Sequence, residues 1–278
     1  VGLIGMGDHK LPLILEPQQL ETLLGAPGLL VVDLSKSSTY LQYHIPGAVH
    51  LEYGDMVASR HPVAGLLPEP ELLVQLFSRL GIGPETHVVA YDDEGGGRAG
   101  RLLWTLEVLG HRHASLLDGG LIAWANERHP LVSGQERPEP AQFQAELDPF
   151  PIADADYILE HLQQPDLALV DARSEDEYSG RRRFAARGGH IPGAVHWDWL
   201  RAMDPRRNLR LRPFDELRQE LSELGIRPEQ TVVTYCQTHH RSSLVYVVLK
   251  ALDYPGAKGY PGSWSDWGNR SDTPVSEG

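Results

Sequence analysis

Short, mainly apolar runs alternate along this chain with longer stretches in which apolar residues recur every three or four positions. "LLVVDL" (29–34), "HVVAY" (87–91) and "ASLLD" (114–118) have the length and β-branched content of buried strands. "EPELLVQLFSRLG" (69–81) and "GRLLWTLEVLG" (100–110) have the period of amphipathic helices. Such alternation predicts α/β architecture, each domain a mostly parallel sheet flanked by helices. In sheets of this kind, ligands sit beyond the carboxyl ends of the strands, in loops that lead into helices.

The pattern is written twice. "LLVVDLSKSSTYLQYHIPGAVHLEY" (29–53) returns as "LALVDARSEDEYSGRRRFAARGGHIPGAVHWDW" (167–199). "LGIGPETHVVAYDDEGGGRAGRLLWTLEVLG" (80–110) matches "LGIRPEQTVVTYCQTHHRSSLVYVVLKALDY" (224–254), and "DGGLIAW" (118–124) matches "PGSWSDW" (261–267). Matched blocks in the same order predict tandem domains of one fold, at residues 10–132 and 152–278. The stretch between them, 133–151, is rich in Pro, Glu and Gln and reads as an extended linker, long enough to wrap along a domain surface.

The second copy holds the only cysteine of the chain, in "CQTHHRS" (236–242). "TVVTY" (231–235) reads as a strand and "SSLVYVVLKALDY" (242–254) as a helix with Ser242 or Ser243 at its N-cap. Cys236 to Arg241 is therefore a tight strand-to-helix loop, expected at the surface of its domain. Its free amides and the helix dipole converge on the sulfur and favour thiolate over thiol, as does the charge of Arg241. His239 and His240 add donors or positive charge according to their protonation. An isolated cysteine is most often a small buried hydrophobe. The polar flanks and the loop position argue otherwise here. Adjacent histidines point apart and no fourth ligand is signposted, so no metal is assigned. A phosphatase loop places five residues between cysteine and arginine, whereas this loop has four, a ring better sized for one sulfur atom than for a phosphate.

Composition narrows the partners. A formal net charge of −13 argues against broad nucleic-acid affinity, and no apolar run approaches a membrane span. A single cysteine can form no intramolecular disulfide, which points to a reducing, cytoplasmic setting. The opening "VGLIGMGDHK" lacks the basic lead-in of a secretory signal, and Met6 is the expected natural start. The acidic balance also means that an anionic substrate needs a local positive field.

The two-copy layout, both "HIPGAVH" blocks, "GSWSDW" and the six-residue cysteine loop resemble the tandem-domain rhodaneses over essentially the whole chain. The loop is most similar to that of bacterial rhodaneses of the Azotobacter type. The resemblance implies thiosulfate sulfurtransferase activity. Cys236 would be the nucleophile that takes the outer sulfur of thiosulfate as a persulfide and yields it to cyanide or another thiophile. It implies no cofactor; its partners would be a small anionic sulfur donor and a thiophilic acceptor. Gln237, Thr238, His239, His240, Arg241 and Ser242 are the expected substrate-binding residues, with Arg241 as the anion clamp. Arg187 joins them as a source of local positive field. Arg181, Arg182 and Arg183 share that possibility but read better as an ordinary solvated face. Mercaptopyruvate sulfurtransferases carry a loop like Cys-Gly-Ser-Gly-Val-Thr, absent here, which favours thiosulfate over 3-mercaptopyruvate as donor. Vertebrate rhodaneses have a lysine and an arginine at the places of Thr238 and Pro192, so two anchoring charges are missing. A second reading makes the chain a persulfide carrier that delivers sulfur, or selenium, to a protein acceptor. A third makes it a phosphatase-like or arsenate-reducing thiol enzyme.

The first copy has Asp92 where the second has Cys236. A carboxylate carries no transferable sulfur, so the first domain is expected to be silent, with Asp92 as a structural plug in its own ring of amides. "IPGA" is turn chemistry, braced by His44 and His190. Asp33 and Asp171 are expected to brace loops at strand ends. Trp124, Trp264 and Trp267 are expected to pack cores or the domain seam, and the resemblance places Trp264 near the cysteine loop, where it would wall the pocket.

Overall fold

The structure, a computed structural model, describes residues 11–277. Met6 and the residues before it lie outside the described residues. Along the first half run β1 (Ile14–Leu15), α1 (Pro17–Leu23), β2 (Leu29–Asp33), α2 (Ser37–Gln42) and β3 (Val49–His50). They are followed by β4 (Ala58–Arg60), β5 (Val63–Leu66), α3 (Pro70–Leu80), β6 (His87–Tyr91), α4 (Gly97–Val108), β7 (Ala114–Leu117) and α5 (Gly120–Asn126). The second half has α6 (Ala155–His161), β8 (Leu167–Asp171), α7 (Glu175–Tyr178), β9 (Val195–His196), β10 (Met203–Asp204) and β11 (Arg210–Leu211). It ends with α8 (Phe214–Glu223), β12 (Thr231–Tyr235), α9 (Arg241–Ala251), β13 (Ala257–Gly259) and α10 (Ser263–Trp267).

The repeat read from the sequence is a repeat of sheets. The first has strand order β1-β7-β6-β2-β3 and the second β13-β12-β8-β9, with every pairing parallel. Central strands β6 and β12 are buried along nearly their whole length, which is why "HVVAY" and "TVVTY" are rich in apolar and β-branched residues with no strict polar alternation. One core gathers Val31, Ile45, Val89, Tyr91, Leu117 and Trp124; the other gathers Leu169, Ile191, Val233, Tyr235, Trp264 and Trp267.

The compact units do not follow chain order strictly. Among the described residues, one contains 11–56, Pro68–Leu147 and Asp204–Arg210; the other contains Val57–Leu67, Asp148–Met203 and 211–277. Each half thus lends a short segment to the other's unit. In the first unit Arg210 is nearly buried and takes Glu127 in a two-pronged ion pair (2.9 and 2.6 Å), with Glu16 and Asp118 also against it. Residues 134–146 lie along this same unit. Their amides bond to Leu41 O, the Tyr40 hydroxyl, Ser78 and Leu109 O, and Phe143 is 3% exposed, packed edge-on to Phe77. Burying that ring contributes about 2 kcal/mol, enough to hold a Pro-rich strap down.

The "HIPG" turns are built the same way in both units. Tyr91 hydroxyl accepts from Ile45 N–H and Tyr235 hydroxyl from Ile191 N–H, both at 3.1 Å. His44 and His190 stack on Tyr40 and Tyr178 and donate from Nδ1 to those residues' carbonyls at 2.8 and 2.9 Å. Each histidine also forms an antiparallel bridge, to Val132 and to Ser276 respectively.

Candidate active site

β12 ends at Tyr235 and the chain turns through Cys236–His240 before α9 begins at Arg241. The helix starts one residue earlier than the sequence suggests, with His240 at the N-cap and no side chain capping it. Ser242 and Ser243 lie inside the first turn, because their hydroxyls have other partners. Ser243 Oγ donates to His239 O at 2.5 Å, and Ser242 Oγ lies 2.7 Å from His239 Nδ1.

The loop was expected at the surface, yet Cys236 is 1% exposed. The chain curls round its own sulfur, with His239 in a left-handed conformation (φ +50°) that tightens the ring. Ser263, also left-handed (φ +49°), fixes the ring from below. Its hydroxyl accepts from Cys236 N–H (3.2 Å) and His239 N–H (3.0 Å) and donates to Tyr260 O (2.7 Å). The next amides of α10 continue the support: Trp264 N–H donates to Cys236 O and Ser265 N–H to Gln237 O, each at 3.0 Å.

Burial is the largest influence on the Cys236 thiol and pushes it up. The charge of Arg241, the Ser242 hydroxyl and amide, and the Thr238 amide outweigh it and hold the thiol below its ordinary range. The loop thus shifts a nearly dry sulfur toward thiolate. A hydroxyl has one proton. For Ser242 to point it at sulfur, His239 Nδ1 must donate to Ser242 Oγ, which assigns the tautomer of this buried histidine.

Arg241 does not stand free over the loop. Its two terminal nitrogens bind the Glu177 carboxylate at 2.7 and 2.8 Å. Glu177 also accepts from Ser174 Oγ (2.9 Å) and Ser174 N–H (3.2 Å) in a capping box at the start of α7. Burial pushes the Glu177 carboxyl up, and Arg241 leads the contacts that bring it down to about 2. The guanidinium therefore acts on the sulfur as a fixed field. A second buried cation lies nearby. Arg173, 1% exposed, grips Asp171 through Nε (2.9 Å) and a terminal nitrogen (2.6 Å), with its guanidinium carbon 4.5 Å from the Trp264 ring centroid.

The first unit holds the same cradle with a different occupant. Asp92 Oδ1 accepts from the amides of Glu94 (3.0 Å), Gly95 (3.1 Å) and Gly96 (2.8 Å), and Oδ2 from those of Arg98 (2.9 Å) and Ala99 (3.0 Å). Leu121 N–H bonds to Asp92 O as Trp264 N–H bonds to Cys236 O. Burial and the Glu94 charge push the Asp92 carboxyl up, against five amides that favour its ionised form; the turn is built as a cradle for an acceptor at the residue that follows the central strand.

A family profile described as "Rhodanese-like domain" matches residues 16–127 and again 154–270. This chain belongs to the rhodanese-like family. It is 49% identical to a thiosulfate sulfurtransferase of Azotobacter vinelandii, over 96% of this chain and 97% of that one. It is 46% identical to a thiosulfate sulfurtransferase of Pseudomonas aeruginosa, over 95% and 97%. It is 34% identical to the sulfur carrier protein TtuD of Thermus thermophilus, over 84% and 86%.

Within the rhodanese frame, the structure brings together Cys236, Gln237, Thr238, His239, His240, Arg241 and Ser242, as a contiguous loop must. Gln237 Nε2 donates to Phe184 O at 3.3 Å, and the His240 ring faces Trp199 at 6.3 Å between centroids. Arg187 is different. Its guanidinium donates to Thr273 O and Trp267 O, each at 2.6 Å, and to the Thr273 hydroxyl, so it clasps residues 267–273 instead of facing the sulfur. Arg181 and Arg183 are mostly exposed, beside Asp176 and Glu277, as a solvated face would be. Trp264 is buried in the core beneath the loop, with Nε1 donating to Arg187 O (3.1 Å). Reading the sequence missed Glu177, Arg173 and Ser263. Two of them were visible on overlaying the copies: Ser35 and Gly120 stand where the second copy has Arg173 and Ser263.

Proposed function

We propose that this chain is a thiosulfate sulfurtransferase that works through a persulfide on Cys236. The Cys236 thiolate attacks the outer sulfur of thiosulfate, a new S–S bond forms, and the donor's S–S bond breaks. Sulfite leaves with that bonding pair, so no general acid is needed. A thiophile such as cyanide then attacks the outer persulfide sulfur, leaves as thiocyanate and returns the thiolate.

The observation that supports this best is the occupant of the cradle. Both copies make the same anion-holding turn, one filled by a carboxylate of its own chain and the other by a lowered, buried cysteine. The Thr238 and Ser242 amides, which reach the sulfur, frame the space into which the terminal sulfur of the persulfide would extend. Arg241 supplies the local positive field that a net charge of −13 requires. Among the described residues no helix is long and apolar enough to cross a membrane, and no cluster suits a metal ion. The single thiol fits a reducing, cytoplasmic setting.

Initial rates with thiosulfate and cyanide test the assignment. A two-stroke mechanism gives parallel double-reciprocal lines, with activity abolished in Cys236→Ala. Intersecting lines, or activity that survives that substitution, would refute it. The likeness to a sulfur carrier supports a second reading in which the acceptor is a protein thiol and cyanide is a surrogate. Sulfur-34 label passing from donor to a protein thiol faster than to cyanide would favour that reading.

A further inference from the structure

The strands β4 and β5 come from the silent half of the sequence, yet they lie in the unit that carries Cys236. They form an antiparallel hairpin, Ser59 opposite Ala64 and Arg60 opposite Val63, with a register shift between Ala58 and Ser59. Gly65 in β5 is left-handed (φ +78°) and rests directly on Thr238 of the cysteine loop. A Cβ placed there would fall on the Thr238 carbonyl oxygen, 2.7 Å from its carbon and 2.8 Å from its Cβ. The neighbouring residue, Ala64, is tied to the same loop through Ser265. Ser265 Oγ accepts from Ala64 N–H at 3.0 Å, its proton lies between the carbonyls of Ala64 (3.0 Å) and Gly262 (2.7 Å), and its own amide donates to Gln237 O.

We propose that the 58–66 hairpin is a positioning element for the sulfur cradle: Gly65 presses on Thr238 and the Ala64–Ser265 clasp holds Gln237, so that the loop amides stay aimed at Cys236. The geometry supports this at both ends. Thr238 offers its amide to the sulfur and its carbonyl to Gly65, so one residue transmits the contact. Gln237, whose carbonyl is held by Ser265, supplies the other half of the peptide that carries that amide. Any side chain at position 65 must push Thr238 away or lift the hairpin. The left-handed φ makes glycine the residue that fits on backbone grounds as well. The half that lost its own cysteine thus retains a part in the chemistry of the other half.

The inference rests on Cys236 being the nucleophile, but its test reads the thiolate directly. Because the chain has one cysteine, the difference in ultraviolet absorbance against pH between the protein and its Cys236→Ala variant reports Cys236 alone, free of the ten tyrosines. In Gly65→Ala the thiolate midpoint is expected to move upward and the acid limb of the pH–rate profile to move with it. Turnover on the acid side should fall about tenfold, the worth of one misaimed hydrogen bond to an anion. Ser265→Ala, which removes the clasp without adding bulk, should move both in the same direction by less. Gly47→Ala is the control: it has a similar left-handed φ (+76°) and nothing within 4 Å of its added Cβ, so the midpoint should stay in place. If Gly65→Ala fails to fold, Ser265→Ala decides. A melting temperature lowered in either variant with thiolate midpoint and pH profile unmoved would overturn the proposal and leave the hairpin a structural brace. Failure of the persulfide assignment would show separately, as normal thiolate titration in a protein that takes up no sulfur.

Discussion

Replacing Glu177 by glutamine keeps the shape of a side chain that is 5% exposed and removes its charge. The carboxylate takes two hydrogen bonds from Arg241 and two from Ser174, and its carboxyl is held at about 2, against 4.5 for an ordinary glutamate. That difference is worth about 3 kcal/mol of stability at neutral pH. The sign follows from a depressed acid: the contribution is complete above the unfolded value and is lost as pH falls toward about 2. Because an amide keeps one acceptor for Arg241, Glu177→Gln should lose about 2–3 kcal/mol near neutrality and progressively less on acidification. The same change removes an anion whose charge offsets part of the Arg241 field at the sulfur. The Cys236 thiol should therefore move further down even as the protein becomes less stable. Urea unfolding at several pH values measures the first effect and thiolate absorbance the second. A thiolate midpoint that does not fall in Glu177→Gln, or a stability that does not change near neutrality, would refute the view that the Glu177 charge offsets the Arg241 field at the sulfur while stabilising the fold.

Three further outcomes are expected. Ser263→Ala leaves the Cys236 and His239 amides without their acceptor; it should cost about 1–3 kcal/mol in urea unfolding and lower kcat, since the ring loses its floor. Arg187→Gln should lower the melting temperature by loosening residues 267–273 while leaving KM for thiosulfate unchanged; a raised KM would restore the substrate-binding role that the sequence suggested. Asp92→Ala strips five amides of their common partner and should destabilise by about 3 kcal/mol or more in urea unfolding, against a smaller loss in Asp92→Asn, whose one carbonyl oxygen can still serve the three amides on Oδ1.

What the sequence made legible was whatever is contiguous or repeated. Parallel sheets follow from "LLVVDL" and "HVVAY" because strands buried on both faces must be apolar throughout, and the same runs recur after the strap. The cysteine loop was legible because six consecutive residues make the cradle, with amides that need no side-chain identity. Asp92 as a plug followed from the overlay alone. The rest depends on residues far apart in sequence. Glu177 reaches Arg241 across 64 positions, and the hairpin reaches Ser265 across 201. No periodicity reports such pairs. The contacts of Arg187 were illegible for a related reason: charge suggested an anion, but a guanidinium's forked donors also suit a row of carbonyls, and the turn after α10 presents one. The buried position of Cys236 escaped a reading that equated loops with surface, because this loop wraps its own side chain.

The central claim is that sulfur rides on Cys236, and the mass of the intact protein tests it most directly. After thiosulfate, the mass should rise by one sulfur atom, about 32 Da, and cyanide should return it to the starting value. Cys236→Ala should show neither change. A protein that gains no sulfur from thiosulfate, or whose added mass persists in Cys236→Ala or resists cyanide, would contradict the account.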